Sequence, residues 1–341
     1  MRVGLVLGAG GVVGASWLIG ALDALEAETG WRAADAERIV GTSAGAVVGA
    51  LAAAGIPAEY MSAYSSGRTL DGFAEAESRA DALTDRLMGS EYRLQRALPP
   101  IGPGSWRLAL NTLLHLRSHA PATVLAGWLP RGFISTTPIQ RLVETFVSDA
   151  WPDHPGYWAV AADYGSGKRV PFGRDGAPDA HVAEAVAASC AIPGFYHPVK
   201  IAGRRYVDGG ICSTSNLDLL RGAELDLVVC LNPMSSVAPI AGGSPADRFA
   251  RAMRAAVGRR LGHEARKLRE AGAEVLVLQP GHDDCALMGV NLMSGARRVQ
   301  VIEQARKSTA RELRRLRGTG LLPARSARRR TTRSKPARRA A

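Results

Sequence analysis

The first apolar run, residues 2 to 7 (RVGLVL), is closed by Gly8-Ala9-Gly10-Gly11-Val12-Val13-Gly14 and reads as a short buried strand followed by a glycine-rich loop. From about Ala15 to Glu28 the pattern changes, and Leu18, Leu22 and Leu25 recur at helical spacing. A second strand, Arg38-Ile39-Val40-Gly41, breaks at Thr42-Ser43-Ala44-Gly45 into a helix of very small residues. That helix ends near Gly55, where Ile56-Pro57 punctuates it. Two successive strand-loop-helix units predict a parallel sheet with helices on its faces.

From 68 to 130 the segments ADALTDRLMG, EYRLQRAL and SWRLALNTLLHL are amphipathic, broken by Pro and Gly, and without strand character. They predict a helical insertion, either a cap over the sheet or ordinary outer-layer helices. Strands return at 158–162 and 168–172, followed by a helix from His181 to Ser189 and a hairpin over 199–207. Further strands follow at 227–231 and 274–278, with charged helices over 246–271 and 297–317. The whole predicts one α/β domain over 1–317, a three-layer sandwich around a mostly parallel sheet, and a separate tail over 318–341.

Composition narrows the class. Of 341 residues, 46% are hydrophobic and 22% charged, a globular balance that excludes collagen-like and disordered chains. The net charge of +12 is mostly local: residues 325–339 hold eight of the 43 basic residues and no acid, leaving 35 basic against 31 acidic elsewhere. Such a run is ordinarily a solvated extension, and it is suited to peripheral contact with an anionic membrane. No nucleic-acid-binding signature accompanies it, so no specific nucleic-acid partner is expected. The four Cys (190, 212, 230, 285) lack metal-ligand spacing, which predicts reduced thiols and no metal site; no cofactor is expected. The start superficially resembles a signal peptide, but cleavage after Ala15 would remove the glycine-rich loop. The expectation is a cytoplasmic protein without a transmembrane segment.

Two motifs carry chemistry. Gly41-Thr42-Ser43-Ala44-Gly45 fits G-x-S-x-G between strand and helix, a turn that holds a nucleophilic Ser at a helix N-terminus. The loop from Gly8 to Gly14 fails as a dinucleotide fingerprint, because Val13 stands where a Gly is needed and no acid ends the second strand. It suits an oxyanion hole of backbone N–H groups instead. A Ser nucleophile needs a base, and Asp208, followed by Gly209 and Gly210, could supply one, although Asp-Gly-Gly alone is an ordinary hairpin turn. His282 lies beyond Asp208 and leaves open a Ser-Asp-His order.

The ordered set of glycine-rich loop, G-x-S-x-G and D-G-G resembles the patatin-like phospholipases, supported by AVAASCAIPG (185–194), YVDGG (206–210) and Asn216. The resemblance runs from residue 2 to about 233, poorly over 68–130, weakly to 317 and not into the tail. It implies a lipid acyl hydrolase with Ser43 as nucleophile and Asp208 as general base. Gly10, Gly11 and Val12 fall at the family's oxyanion-hole amides, and Gly8, Gly14, Gly41, Gly45, Gly209 and Gly210 are its motif glycines. The chain departs from the pattern at Val13, where Arg or Lys is usual, and at Ala9, where Gly is usual; Val13 removes a cation that could meet a lipid phosphate. The implied substrate is a lipid or other carboxylic ester. An acyltransferase using the same acyl-enzyme, a Ser43-Asp208-His282 esterase and a non-catalytic membrane-binding protein of this fold are the alternatives.

Overall fold

The computed structural model describes residues 1–67, 102–114, 120–236 and 244–322. Most of the expected insertion (68–101 and 115–119) and the arginine-rich run at 325–339 lie outside the described residues.

Strands β1 (Val3–Leu7), β2 (Arg38–Thr42), β3 (Tyr157–Asp163) and β7 (Leu227–Leu231) are buried almost throughout. Their near-continuous apolar runs suit a sheet covered on both faces. With β4 (Arg169–Phe172), β5 (Val199–Ile201), β6 (Arg204–Asp208) and β8 (Glu274–Leu278) they form one eight-stranded sheet. Its order is β5-β6-β3-β2-β1-β7-β8, with β4 paired to β3. The pairs β1–β2, β1–β7, β2–β3 and β7–β8 are parallel, whereas β4, β5 and β6 pair antiparallel.

One face of the sheet packs against α1 (Gly11–Thr29), α2 (Ala44–Ala53), α7 (Val182–Ser189) and α10 (Arg298–Arg315), burying Leu18, Leu22, Ala46, Val186 and Ile302. On the other face α8 (Pro245–Glu270) lays Leu261, Ala265 and Leu268 on Val6, Val40 and Val228. The small residues of α2 let its backbone lie close to the strands, and Tyr157 donates its hydroxyl to Ala46 O at 2.7 Å. Within the expected insertion, α4 (Trp106–Leu114) and α5 (Pro121–Trp128) are described. They bury Leu108 and Ala126 against Ala162, Val207 and Ile211 on the α8 side of the sheet. Three shorter helices are α3 (Ala58–Ser65), α6 (Thr137–Phe146) and α9 (His282–Met288).

The register of β3 sets the site. Its residues Ala159 and Val160 pair with both β2 and β4, and Ala161 and Ala162 with both β4 and β6. A strand has only two edges, so β2 and β6 must share the edge opposite β4, end to end. β2 stops at Thr42 opposite Val160, and β6 arrives from the other direction and stops at Asp208 opposite Ala161. Thr42 and Asp208, 166 positions apart in sequence, therefore finish on adjacent rungs of one strand.

Candidate active site

Ser43 is the residue between β2 and α2, with φ 54° and ψ −121°, outside the regions an L-residue ordinarily occupies. The surrounding structure holds it there. Its N–H donates to Ser189 Oγ at 2.9 Å, and Ser189 Oγ donates to Val160 O at 2.6 Å. Its carbonyl accepts from Ala46 N–H at 2.8 Å, which opens α2. Ser43 is 4% exposed.

Asp208 ends β6 and is 5% exposed. Its N–H donates to Ala191 O at 2.9 Å, and its Oδ1 accepts from Gly210 N–H at 2.7 Å. Burial pushes its carboxyl up to about 6, while the neighbouring Ser43 hydroxyl and the Gly210 N–H pull in the opposite direction. Burial also pushes the Cys190 thiol well above its usual value, with the Asp208 charge adding to the rise and the adjacent Ser43 hydroxyl opposing it. Ser43 thus has beside it a carboxyl and a thiol whose ionisation burial opposes.

The glycine-rich loop lies one strand away, at the same end of the sheet. Helix α1 begins at Gly11, so its first N–H groups have no acceptor within the helix. Val13 N–H donates to Leu292 O at 3.0 Å and Gly14 N–H to Gly10 O at 2.9 Å. Among the described residues, no backbone acceptor is present for the N–H groups of Gly10, Gly11 and Val12. These three donors and the helix dipole sit at the carboxyl ends of the parallel strands, where ligand crevices form in open α/β sheets. Gly11 has φ +61°, and a Cβ there would come within 2.7 Å of Leu292 O and 3.1 Å of Met293 Sδ. Gly8 follows β1 against Asn232, Gly14 lies against Pro233, and Gly41 lies beneath Gly45 and Ala46; Gly209 lies against the Val160 carbonyl, beside Gly210. Val13 is 5% exposed and packed in the core. Ala9 is also buried and donates its N–H to Thr214 O at 2.8 Å.

His282 stands apart. It is the exposed first residue of α9 and lies 3.3 Å from Asp283 Oδ1. It follows β8, three strand spacings from β2, or about 14 Å across the sheet. The structure brings Ser43, Asp208 and the three loop amides together and leaves His282 out.

Several contributors escaped sequence reasoning. Leu292 and Met293 cover the glycine-rich loop from a stretch without a motif. Cys190 and Ser189 lie in the quoted stretch but gave no sign of touching Ser43. Asn216 was named with the resemblance, but its contact was not: buried with φ 51°, it donates Nδ2 to Thr42 Oγ1 at 3.0 Å and to Ser213 O at 2.7 Å, bracing the residue before Ser43. Among the described residues no group of three or more His, Cys, Asp or Glu could hold a metal ion. No described helix is long and apolar enough to cross a membrane.

Fold and site together define an α/β protein with a serine on a strained strand-to-helix turn beside a buried carboxyl. A family model, patatin-like phospholipase, matches residues 5–221, and the chain belongs to that family. An uncharacterized NTE family protein of Mycobacterium tuberculosis is 31% identical over 231 residues, covering 68% of this chain and 49% of the relative. Its Mycobacterium bovis counterpart matches equally. The chain therefore spans about half the length of these relatives. Among solved structures, VipD from Legionella pneumophila is similar at 16% identity and a TM-score of 0.42, over 91% of this chain and 67% of that one. The ExoU–SpcU complex of the Pseudomonas aeruginosa type III secretion system gives 17% and 0.37, over 92% and 51%.

Proposed function

We propose that the protein is a lipid acyl hydrolase that cleaves a carboxylic ester through an acyl-enzyme on Ser43, with Asp208 as general base. The observation that carries this reading is the pairing of a strained, buried serine with a buried carboxyl whose pKa is about 6. Membership of a family of patatin-like phospholipases, typically serine hydrolases, supports it.

A carboxylate near its usual value is a weak acceptor for a hydroxyl proton, and burial strengthens it. Ser43 Oγ attacks the ester carbonyl carbon as its proton passes to Asp208. The carbonyl oxygen becomes an oxyanion facing the N–H groups of Gly10, Gly11 and Val12. Collapse of the tetrahedral intermediate breaks the bond to the leaving alkoxide, which takes the proton back from Asp208. Water then attacks the acyl-enzyme, gives a proton to Asp208, and releases the carboxylic acid and free Ser43. Removing one oxyanion donor typically costs about 10²–10³ in turnover, so the loop amides would supply several kcal/mol of the barrier reduction.

The test is covalent. A fluorophosphonate is expected to add one mass label, mapped to the peptide containing Ser43, and Ser43→Ala is expected to abolish both label and ester turnover. Full activity in a folded Ser43→Ala protein would refute the reading. The His282 position yields a second expectation: His282→Ala should keep ester turnover within about threefold, because removing a true proton acceptor costs orders of magnitude. A collapse matching that of Ser43→Ala would assign the base to the imidazole instead.

A further inference from the structure

Large apolar side chains are not exposed evenly over the molecule. Nine are prominently exposed among the described residues, and six of them lie on α4 and α5: Trp106, Leu110, Leu113, Leu114, Leu125 and Trp128. On α4 the exposed four fall at i, i+4, i+7 and i+8, a single outward stripe, while Leu108, Ala109 and Thr112 face the core. Trp106 is 61% and Leu114 79% exposed. The Trp106 and Trp128 rings meet edge to face at 6.5 Å, joining the two helices into one surface.

Trp106 and Leu114 also line an open cleft whose other walls are basic. The turn between β3 and β4 contributes Lys168, the hairpin between β5 and β6 contributes Arg204 and Arg205, and α4 contributes Arg107. Among the described residues, the single carboxylate lining the cleft, Asp163, is already engaged by Gly165 N–H, Ser166 and Arg204. Arg169 is held in two contacts by Asp218, and Arg260 by Glu264. With those pairs set aside, Lys168, Arg205 and Arg107 give the cleft an excess of cations.

The geometry points to an interfacial docking face: α4 and α5 insert Trp and Leu side chains into an anionic lipid surface while Lys168, Arg205 and Arg107 meet its phosphates. Exposed Trp and Leu beside Lys and Arg are the combination that lies in the headgroup boundary of a bilayer. Charge decides the occupant, since a second copy would set these cations against their own kind. The placement deepens the acyl-hydrolase reading and rests on it in one respect: the face would deliver the ester. It lies at the sheet end that carries the site, because β3 runs on to Asp163, beyond the Ala161 rung that faces Asp208. It is also tied to the site, since Thr123 of α5 donates its hydroxyl to Ile211 O at 2.9 Å, in the turn that follows Asp208.

The experiment is co-sedimentation of the full chain with vesicles of phosphatidylserine and phosphatidylcholine, or of phosphatidylcholine alone, with turnover of a short soluble ester measured in parallel. Binding to the anionic vesicles only, weakened by salt, is expected. Lys168→Glu with Arg205→Glu should weaken it about tenfold or more, and Trp106→Ser with Leu110→Ser comparably. All substituted side chains are exposed, so thermal melts should be unchanged. Equal binding by wild type and both double variants would overturn the face. So would loss of binding only on truncation at Leu322, which assigns contact to the tail, or a dimer whose formation requires the same Trp and Leu. Normal vesicle binding without ester turnover would instead count against the hydrolase reading alone.

Discussion

Replacing Asp208 by Asn is expected to lower turnover of a soluble ester by about three orders of magnitude or more. The two side chains are nearly isosteric, and Asn can still accept from Gly210 N–H, so the loss would be chemical and the protein should remain folded. The wild-type pH profile provides an independent check. Asp208 must be ionised to take the Ser43 proton, so kcat/KM should rise with pH about a midpoint near 6. A midpoint near 7 that disappears in a histidine variant would point to another base.

The same displacement carries a stability consequence of opposite sense. An unfolded aspartate ionises near 3.8, whereas folded Asp208 ionises near 6, so between these values the folded chain binds the extra proton. Stability attributable to Asp208 is therefore greatest at low pH, falls as pH rises through this window, and its cost is complete above about 6. Asp208→Asn removes that cost. It is expected to melt above the wild type at pH 8, by up to about 3 kcal/mol of unfolding free energy, with the gap closing as pH falls toward 4. Inactivation accompanied by stabilisation is the signature of a carboxyl kept buried for its chemistry.

What could be read from the chain was local. β7 and β8 coincide with their apolar runs, and the predicted bounds of the helices over 182–189, 245–270 and 298–315 are off by at most two residues. α1 is the larger departure: it starts at Gly11, within the loop expected to precede it. Glycine's poor helix propensity hides that first turn, which is braced instead by Leu292 O on Val13 N–H and by the approach of Pro233. Ser43 was legible because its turn is made by its neighbours in sequence. Its pairing with Asp208 was legible only through the family resemblance, because it depends on two strands ending against each other on one edge of β3, and register has no local signature. The likeness of residues 234–317 to the family is weak, yet Gly20 of α1 lies directly against the Ile302 backbone and β8 completes the sheet. Packing of that kind tolerates many sequences, provided they remain apolar on the correct face.

Gly45→Ala is expected to cost several kcal/mol, enough to deplete the folded protein. Propensity alone predicts the reverse, because Ala stabilises a helix interior over Gly by about 1 kcal/mol. The reason lies in what faces Gly45. A Cβ there would overlap Leu7 O and its carbonyl carbon and come within 2.9 Å of Gly8 O, all backbone atoms. Leu7 pairs with Gly41 in β2 and with Leu231 in β7, so β1 cannot yield without losing rungs on both sides. If α2 gave way instead, Ser43 would move away from Ser189 and Asp208, and ester turnover would fall even in molecules that fold. Gly262→Ala is the matched control. It lies in α8 with no atom within 4 Å of its Cβ position, and Ala there should stabilise by about 0.5–1 kcal/mol. Denaturant unfolding of both variants separates packing from propensity. If Gly45→Ala unfolded at or above the wild-type midpoint, close contact between α2 and β1 would not be what fixes the serine turn.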